Sequence, residues 1–230
     1  MVPGISVIIP AYNEAHNIER TILAVKSIPG VVQIIVVDDG SEDDTAFIAR
    51  NMGVEVICLR QNRGKGQALT AGLNLVKGKY ILLLDADLGE TAALGEKLLY
   101  PLLNGQADMV VACLPATGHS AGFGLTLGLA RYGTWLFTGK MLKAPLSGQR
   151  AFTSAGLKAL YPLLPGFGVE VGLNIKAARK GMRIKELSIA MEHDATGRTL
   201  KGFFHRGRQF WHVLFALCRL AIGKEEEEKG

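Results

Sequence analysis

Short apolar runs return along the chain at the spacing of one strand plus one crossover helix. They are Ile5–Ile9, Gln33–Val37, Val54–Leu59, Tyr80–Leu84 and Asp108–Ala112, and their starts lie 28, 21, 26 and 28 residues apart. The segments between them carry apolar residues at helical spacing, as Ile18, Ile22 and Val25 do. Strands that alternate with helices predict an α/β fold, in which helices cover both faces of a mostly parallel sheet.

Composition narrows the class of protein. The 230 residues are 48% hydrophobic and 20% charged, which is the balance of a folded globular protein. No stretch of about 18 apolar residues is free of charge, so a membrane-spanning helix is not expected. The cysteines (Cys58, Cys113, Cys218) are scattered and odd in number, which favours a reducing compartment over a disulfide scaffold or a zinc site. No basic leader with an apolar core precedes the first strand, and we therefore expect a cytoplasmic protein.

The second half of the chain has a different pattern. Residues 122–139 are apolar and rich in glycine. A helix after Gly168 and a strand at Met182–Met191 are expected next, and Phe203–Ile222 has the pattern of an amphipathic helix. We expect a main domain over residues 1–195. A basic, amphipathic segment that ends in an acidic tail follows it over residues 196–230.

Positive charge is concentrated late in the chain. The segment from Arg179 to Arg208 contains eight lysines and arginines and three acidic residues. Its net charge of +5 equals the net charge of the whole chain. Because aromatic and basic residues are not interleaved in a nucleic-acid motif, nucleic acid is not an expected partner. Phosphates of a small ligand or of lipid headgroups fit this cluster. Four arginines are candidate phosphate contacts, with solvated charge as the alternative: Arg150, Arg198, Arg206 and Arg208.

Acidic side chains follow the fourth apolar run. Asp85 and Asp87 come directly after Ile81–Leu84, and the carboxyl edge of a parallel sheet is where such folds bind ligands. Two carboxylates one residue apart suit a hard divalent cation that bridges phosphate oxygens, although a pair of helix-capping aspartates has the same pattern. His193, which follows the last expected strand, either completes this metal site or is a loop histidine.

Three further features lie near expected strand ends. Asp38-Asp39-Gly40-Ser41 offers a carboxylate to a nucleoside or closes a turn, and Ser41 is a candidate cap for the next helix. Asn62-Arg63-Gly64-Lys65-Gly66 is a basic, glycine-rich loop that lacks the spacing of a P-loop. Glu170 is isolated among apolar residues and glycines, and is either a general base or acceptor-binding group, or a charge that serves a helix N-terminus.

Together these segments resemble the inverting glycosyltransferase family 2, which has the GT-A (Rossmann-like) fold. The resemblance covers about residues 1–195 and rests on four motifs in order: Ser6-Val7-Ile8-Ile9-Pro10-Ala11-Tyr12-Asn13-Glu14, Val36-Val37-Asp38-Asp39-Gly40-Ser41, Asn62-Arg63-Gly64-Lys65-Gly66 and Leu84-Asp85-Ala86-Asp87. It implies a nucleotide-diphospho-sugar donor and a Mg²⁺ or Mn²⁺ ion.

The resemblance also implies roles for single residues. Pro10, Tyr12, Glu14 and Asp39 match positions that hold the nucleoside, Lys65 matches one near the base or the pyrophosphate, Asp85 one that contacts ribose or metal, and Asp87 one that binds the metal. We expect Asp87, Arg150 and Glu170 to act in catalysis, and Arg198, Arg206 and Arg208 to contact phosphate. The metal would be held by Asp85, Asp87 and His193.

The second half of the chain resembles two branches of sugar transferases. Pro145-Leu146-Ser147-Gly148-Gln149-Arg150-Ala151-Phe152 is similar to the polyprenyl-phosphate sugar transferases of the dolichol-phosphate mannose synthase type, in which an arginine here meets phosphate. Gly166-Phe167-Gly168-Val169-Glu170-Val171-Gly172, with His193, is similar to the retaining glucosyl-3-phosphoglycerate synthases, which use a small phosphorylated acceptor. The chain departs from the first branch in having no transmembrane helices after the catalytic domain, and from the second in its donor-side motifs.

The resulting expectation is a metal-dependent transferase that moves a sugar to a polyprenyl phosphate with inversion. The alternative is transfer to a small phosphorylated acceptor. A non-catalytic sugar-nucleotide module is disfavoured because Asp85 and Asp87 are present, and a nucleotidyltransferase because Ala11-Tyr12-Asn13-Glu14 replaces its glycine-rich basic signature. The segment Phe203–Ile222 is expected to lie in the plane of the inner face of the cell membrane, or to pack on the catalytic domain or on a second copy of the chain.

Overall fold

A computed structural model describes residues 4–115, 123–192 and 200–222, and describes the backbone alone for residues 123, 167 and 200–209. Among these residues, one sheet contains the strands β1 (Ile5–Ala11), β2 (Val31–Asp38), β3 (Glu55–Cys58), β4 (Tyr80–Leu83), β5 (Met109–Cys113), β6 (Arg150–Thr153) and β7 (Ile184–Ser188). Their order across the sheet is β3-β2-β1-β4-β6-β5-β7. The strands pair in parallel except for β6, which is antiparallel to β4 and to β5.

Helices cover both faces of the sheet. They are α1 (Ile18–Lys26), α2 (Thr45–Asn51), α3 (Lys65–Leu73), α4 (Glu96–Leu103), α5 (Phe123–Thr138), α6 (Ser154–Lys158), α7 (Val169–Arg179) and α8 (Leu200–Ala221). Ile9 and Leu82 pack with α1 and α4 on one face, while Ile8 packs with α3 and α7 on the other. Because successive strand residues point to opposite faces, a strand covered on both sides is apolar at nearly every position. In the first apolar run, Ile5–Ile9, Ser6 alone is polar.

The strand register brings three carboxyl ends to one edge of the sheet. Ala11 lies opposite Asp38, and Ile8 lies opposite Leu83, so that β1, β2 and β4 end side by side. The loops that follow these strands carry Tyr12, Asp39 and Asp85. The sheet therefore brings together residues that are up to 73 positions apart in sequence.

The structure confirms the α/β prediction and corrects several of its details. The strand β6 and the helix α5 were not predicted, and the strand expected within Met182–Met191 is confined to Ile184–Ser188. Ser41 does not cap the next helix, because that helix begins at Thr45 and the Ser41 hydroxyl accepts a hydrogen bond from the Asn13 N–H instead.

The C-terminal helix α8 packs on the rest of the protein. Val213, Leu217 and Leu220 form a third apolar cluster with residues of α5 and α7. Arg179 of α7 donates a hydrogen bond of 3.1 Å to the Leu220 carbonyl oxygen at the end of α8. The part of the chain that the structure describes contains no helix both long and apolar enough to cross a bilayer. The division at residue 195 stays a prediction.

Candidate active site

The loops after β1 and β2 are joined by hydrogen bonds. Asn13, which has a positive φ of 56°, donates its N–H to Ser41 Oγ (2.9 Å), and its Oδ1 accepts the Glu42 N–H (2.9 Å). The Glu14 N–H donates to Thr45 Oγ1 (2.8 Å). This pairing leaves Tyr12 exposed, with Pro10 and Glu14 half-buried beside it. The nucleoside roles of Pro10, Tyr12 and Glu14 stay predictions.

Asp39 fixes the loop that follows β3. Its Oδ1 accepts the Arg63 N–H (2.8 Å) and its Oδ2 accepts the Gly64 N–H (2.7 Å), while the residue is only 4% exposed. Each such bond to a charged group contributes about 1.5–3 kcal/mol. Asp39, which is expected to hold the nucleoside, therefore also fixes the turn that leads into α3 at Lys65.

Lys65 lies between two carboxylates from different parts of the chain. Its Nζ is 2.5 Å from Asp85 Oδ1 and 3.2 Å from Glu170 Oε1. Burial alone would lower the pKa of Lys65, but the charges of Asp85 and Glu170 outweigh it and raise the pKa above its ordinary value. Lys65 is therefore a fixed cation in the centre of the site.

Asp85 is also held from the second half of the chain. Gln149, which is completely buried, donates from Nε2 to Asp85 Oδ2 (2.7 Å), and its Oε1 accepts the hydroxyl of Ser147 (3.1 Å). Gly148 is needed here, because a Cβ atom at this position would overlap Lys65 Nζ and lie 2.6 Å from Asp85 Oδ2. The loop before β6 thus fits against the Lys65–Asp85 pair without a side chain between them.

Thr21 of α1 supports the turn that carries both aspartates. Its hydroxyl donates to the Ala86 carbonyl oxygen (2.8 Å) and accepts the Gly89 N–H (2.9 Å). Asp87 is half-buried at this turn. Two carboxylates at the end of a buried strand fit Mg²⁺ or Mn²⁺ in ligand chemistry, because these hard ions prefer oxygen. Within residues 4–115, 123–192 and 200–222, no three His, Cys, Asp or Glu side chains converge on one point, and His193 lies outside these ranges.

Arg150 is placed differently from the expectation. Its side chain is completely buried and donates to the Ser147 carbonyl oxygen (2.8 Å), to Asn174 Oδ1 (2.6 Å) and to the Pro145 carbonyl oxygen (3.2 Å). Burial lowers the pKa of Arg150 to about 10. In this conformation the guanidinium cannot contact a ligand phosphate, because protein atoms enclose it. Arg150 instead positions the loop that carries Gln149 and Gly148.

Glu170 lies in the first turn of α7 and is almost completely buried. Burial raises the pKa of its carboxyl group, and the positive charges of Lys65 and Arg150 oppose this rise in part. Glu170 therefore lies at the N-terminus of a helix and also contacts Lys65. Its position agrees with both roles that the sequence left open. Its role toward the substrate stays a prediction.

Other expected site residues lie beyond what the structure describes. His193 and Arg198 fall outside the described residues, and the side chains of Arg206 and Arg208 are not described. Sequence reasoning missed Thr21, Gln149 and Asn174. Of these, Gln149 had a usable signal, since it directly precedes Arg150 and ends the uncharged stretch Ala144–Gln149.

Residues 6–155 match the profile of glycosyl transferase family 2, and the chain belongs to this family. The expected fold, enzyme class and family are therefore confirmed.

Two curated relatives of the chain are sugar transferases by name. Glycosyltransferase AglJ of Haloferax volcanii is 29% identical over 188 residues, which are 78% of this chain and 60% of that protein. Undecaprenyl-phosphate 4-deoxy-4-formamido-L-arabinose transferase of Serratia proteamaculans is 43% identical over 97 residues, 38% of this chain and 30% of that protein. The chain thus spans less than two thirds of each.

A solved structure matches nearly the whole chain. It is glucosyl-3-phosphoglycerate synthase from Mycobacterium tuberculosis in complex with Mn²⁺, uridine-diphosphate-glucose and phosphoglyceric acid. The TM-score is 0.77 at 29% identity, and the match covers 94% of this chain and 80% of that one.

Proposed function

We propose that the protein transfers a sugar from a nucleotide-diphospho-sugar to a polyprenyl phosphate, with Mg²⁺ or Mn²⁺ bound. The observation that carries the donor side is the cluster of Lys65, Asp85 and Glu170 at the carboxyl edge, next to the loops after β1 and β2. The synthase structures with UDP and Mn²⁺ or Mg²⁺ support the same donor class and ions for this chain. A UDP-sugar is therefore the first donor to test.

A lipid acceptor is supported by two apolar helix faces. Leu125, Tyr132 and Leu136 on α5 are exposed, and so are Trp211 and Phe215 on α8. Exposed aromatic and aliphatic side chains on neighbouring helices suit the boundary between lipid headgroups and acyl chains. The relative that is an undecaprenyl-phosphate transferase supports the same acceptor class. The protein would then act in the cytoplasm, at the inner face of the membrane.

In the proposed reaction the acceptor oxygen attacks the anomeric carbon of the sugar. The bond from this carbon to the diphosphate oxygen breaks, and the nucleoside diphosphate leaves with the bonding electron pair. A phosphate acceptor is already ionised near pH 7, so the attack needs no strong base, and the configuration is inverted. Lys65 stabilises the charge on the leaving diphosphate. Asp85 and Asp87 would hold the divalent ion, which when bound offsets the same charge.

A second candidate function is transfer to a small phosphorylated acceptor such as phosphoglycerate. The structural match to the synthase over 94% of the chain favours it. A hydroxyl acceptor needs a general base, and Glu170 is the candidate because burial raises its pKa. Glu170 also contacts Lys65, so the proton would be taken beside a fixed cation.

A product assay separates the two candidates. The purified chain is incubated with UDP-glucose and Mn²⁺ and either undecaprenyl phosphate in detergent or 3-phosphoglycerate, and products are identified by mass spectrometry. We expect a lipid-linked hexose, which Asp87→Asn lowers by about 100-fold or more, given that metal stabilisation of the leaving group is worth several kcal/mol. Asp44→Asn, an exposed aspartate at the start of α2, is the matched control. Hexose on phosphoglycerate alone would contradict the lipid acceptor.

A further inference from the structure

Residues 164–168, the segment before α7, lie between the first turn of α3 and the helix α8. The segment contains the 3₁₀ turn Gly166–Gly168, and α7, which carries Glu170 in its first turn, follows it directly. The turn contacts α3 on one side and α8 on the other. The position of this segment therefore affects how Glu170 is presented to Lys65.

On the side of α3, the segment before α7 touches the backbone on both sides of Lys65. A Cβ atom at Gly66 would overlap the Leu164 carbonyl oxygen, and a Cβ atom at Gly64 would lie 3.1 Å from Gly166 Cα. The two backbones approach each other directly because glycine has no side chain at either position. The place of Lys65 is thus set against this segment, without a flexible side chain between them.

On the opposite side, the segment before α7 touches α8 as closely. A Cβ atom at Gly168 would lie 2.7 Å from Ala216 Cβ and 3.0 Å from the His212 carbonyl oxygen. A Cβ atom at Gly166 would overlap the His212 imidazole. Ala216 is 3% exposed and packs with Leu164 in the third apolar cluster. At Gly168 the contact with α8 is made by backbone and Cβ atoms, which have no rotamer to change.

Three layers thus follow one another in the order α8, the segment before α7 and the start of α3. Close-packed protein interiors have low compressibility, so a displacement of one layer is passed to the next. Glu170 lies two residues after Gly168, and its Oε1 is 3.2 Å from Lys65 Nζ. A displacement of about 0.5 Å would take this pair beyond hydrogen-bond distance.

We propose that α8 is a positioning element of the candidate active site, in which Ala216 and His212 hold the segment before α7 and thereby set the distance between Glu170 and Lys65. The assignment rests on the proposed function, in which Lys65 stabilises the charge on the leaving diphosphate. A misplacement of about 1 Å in such a site costs about 100-fold in rate. The helix lies outside residues 6–155, which match the family profile, so the profile assigns it no role.

Moving one methyl group across the contact between Gly168 and Ala216 tests this assignment. Gly168→Ala adds a Cβ atom against Ala216, and the double variant Gly168→Ala/Ala216→Gly removes the atom that it meets. Gly168 has a φ of −80°, which alanine also adopts, so overpacking is the main effect of the substitution. Gly128→Ala is the matched control, because a Cβ atom there meets no atom within 4 Å.

Hydrogen–deuterium exchange of the full chain, without substrate or metal, measures whether the change reaches α3. The N–H groups of Gln67 and Ala68 donate to the Gly64 carbonyl oxygen (3.0 and 3.2 Å), on the far side of the segment before α7. We expect Gly168→Ala to accelerate their exchange by about tenfold and the double variant to reverse most of this change, with α2 unchanged throughout. Exchange that accelerates in α7 and α8 but not in α3 would overturn the coupling.

Steady-state kinetics in the product assay measure the effect on the reaction. The temperature is kept well below the Tm of each variant, so that unfolded chain does not contribute. We expect Gly168→Ala to lower kcat by about tenfold or more at an unchanged KM for the donor, and the double variant to return to within about threefold of wild type. An unchanged kcat in Gly168→Ala would overturn the positioning role.

The single variant Ala216→Gly covers the case in which Gly168→Ala does not fold, because it opens the contact instead of overfilling it. We expect it to accelerate exchange in α3 and to lower kcat by about threefold, as the loss of one buried methyl group implies. Unchanged exchange in α3 would overturn the coupling. A wild type that forms no product with either acceptor would contradict the proposed function, and exchange in α3 then decides the coupling by itself.

Discussion

Asp39 acts on the site through the backbone that it holds. Because its two oxygens accept the Arg63 and Gly64 N–H groups, Asp39→Asn leaves one N–H facing an amide NH₂ group. We expect the free energy of unfolding to fall by about 1–3 kcal/mol, and the KM for the donor to rise more than kcat falls. Urea unfolding and steady-state kinetics measure the two effects.

The exposed Asp44 provides the control for this substitution. It makes no side-chain capping hydrogen bond at the start of α2, so Asp44→Asn should change neither stability nor KM. If Asp39→Asn reduced kcat at an unchanged KM, Asp39 would act in the chemical step, and its assignment to the donor loop would be wrong.

Glu170 gives a pH dependence whose sign follows from its burial. Because its pKa is raised above 4.5 in the folded chain, the folded state binds a proton more tightly than the unfolded state. The free energy of unfolding therefore falls as the pH rises from 4.5 through the raised pKa. Glu170→Gln removes this pH dependence together with the ion pair to Lys65, so we expect the Tm of the variant relative to that of wild type to rise as the pH increases from 4.5 through the raised pKa. A Tm difference that is constant from pH 4 to pH 8 would contradict this account.

At the scale of elements, the loop before β6 depends on a missing side chain. Gly148→Ala places a methyl group against Lys65 Nζ and the Asp85 carboxylate. We expect a loss of about 1–3 kcal/mol of stability from overpacking, together with reduced donor turnover. Chemical unfolding and the product assay measure both.

Gly128→Ala in α5 is the matched glycine substitution. A Cβ atom at Gly128 would meet no atom within 4 Å, so helix propensity alone acts and stability should rise by about 0.5–1 kcal/mol. Equal effects of Gly128→Ala and Gly148→Ala would show that the Lys65–Asp85 pair tolerates the added methyl group.

Elements with a repeating apolar pattern could be predicted from the sequence, and irregular ones could not. The strands β1 and β4 are buried on both faces, so their largely apolar runs gave their positions within a few residues. The strand β6 has four residues and begins with a buried arginine, which hides it from pattern analysis. The helix α5 is apolar on its exposed face as well as on its packed face, so it shows no amphipathic period.

The positions of the candidate site residues could likewise be predicted only in part. Asp39, Lys65 and Asp85 could be placed at one edge because each follows a strand in a parallel sheet. The buried position of Arg150 could not be deduced, since it depends on Asn174, which lies 24 residues away on α7. Sequence shows which groups can bind phosphate, but burial decides whether they meet solvent or protein.

At the scale of the whole molecule, α8 has two apolar faces with different surroundings. Val213, Leu217 and Leu220 belong to the core, whereas Trp211 is 66% and Phe215 64% exposed. Deleting residues 203–230 would therefore open the core as well as remove the exposed face. Single substitutions on the outer, exposed face of α8 test membrane contact without opening the core.

We expect the full chain to sediment with phosphatidylglycerol vesicles at low salt and to dissociate at high salt, because a net charge of +5 adds electrostatic attraction to the apolar contact. Trp211→Ser should weaken binding by about tenfold, since burying one large apolar side chain is worth roughly 1.5 kcal/mol or more. Phe47→Ser is the control, because Phe47 is 63% exposed on the distant helix α2. Full-length protein that stays in the supernatant would contradict membrane contact. A dimer in light scattering that Trp211→Ser dissociates would assign the outer face of α8 to a second copy of the chain.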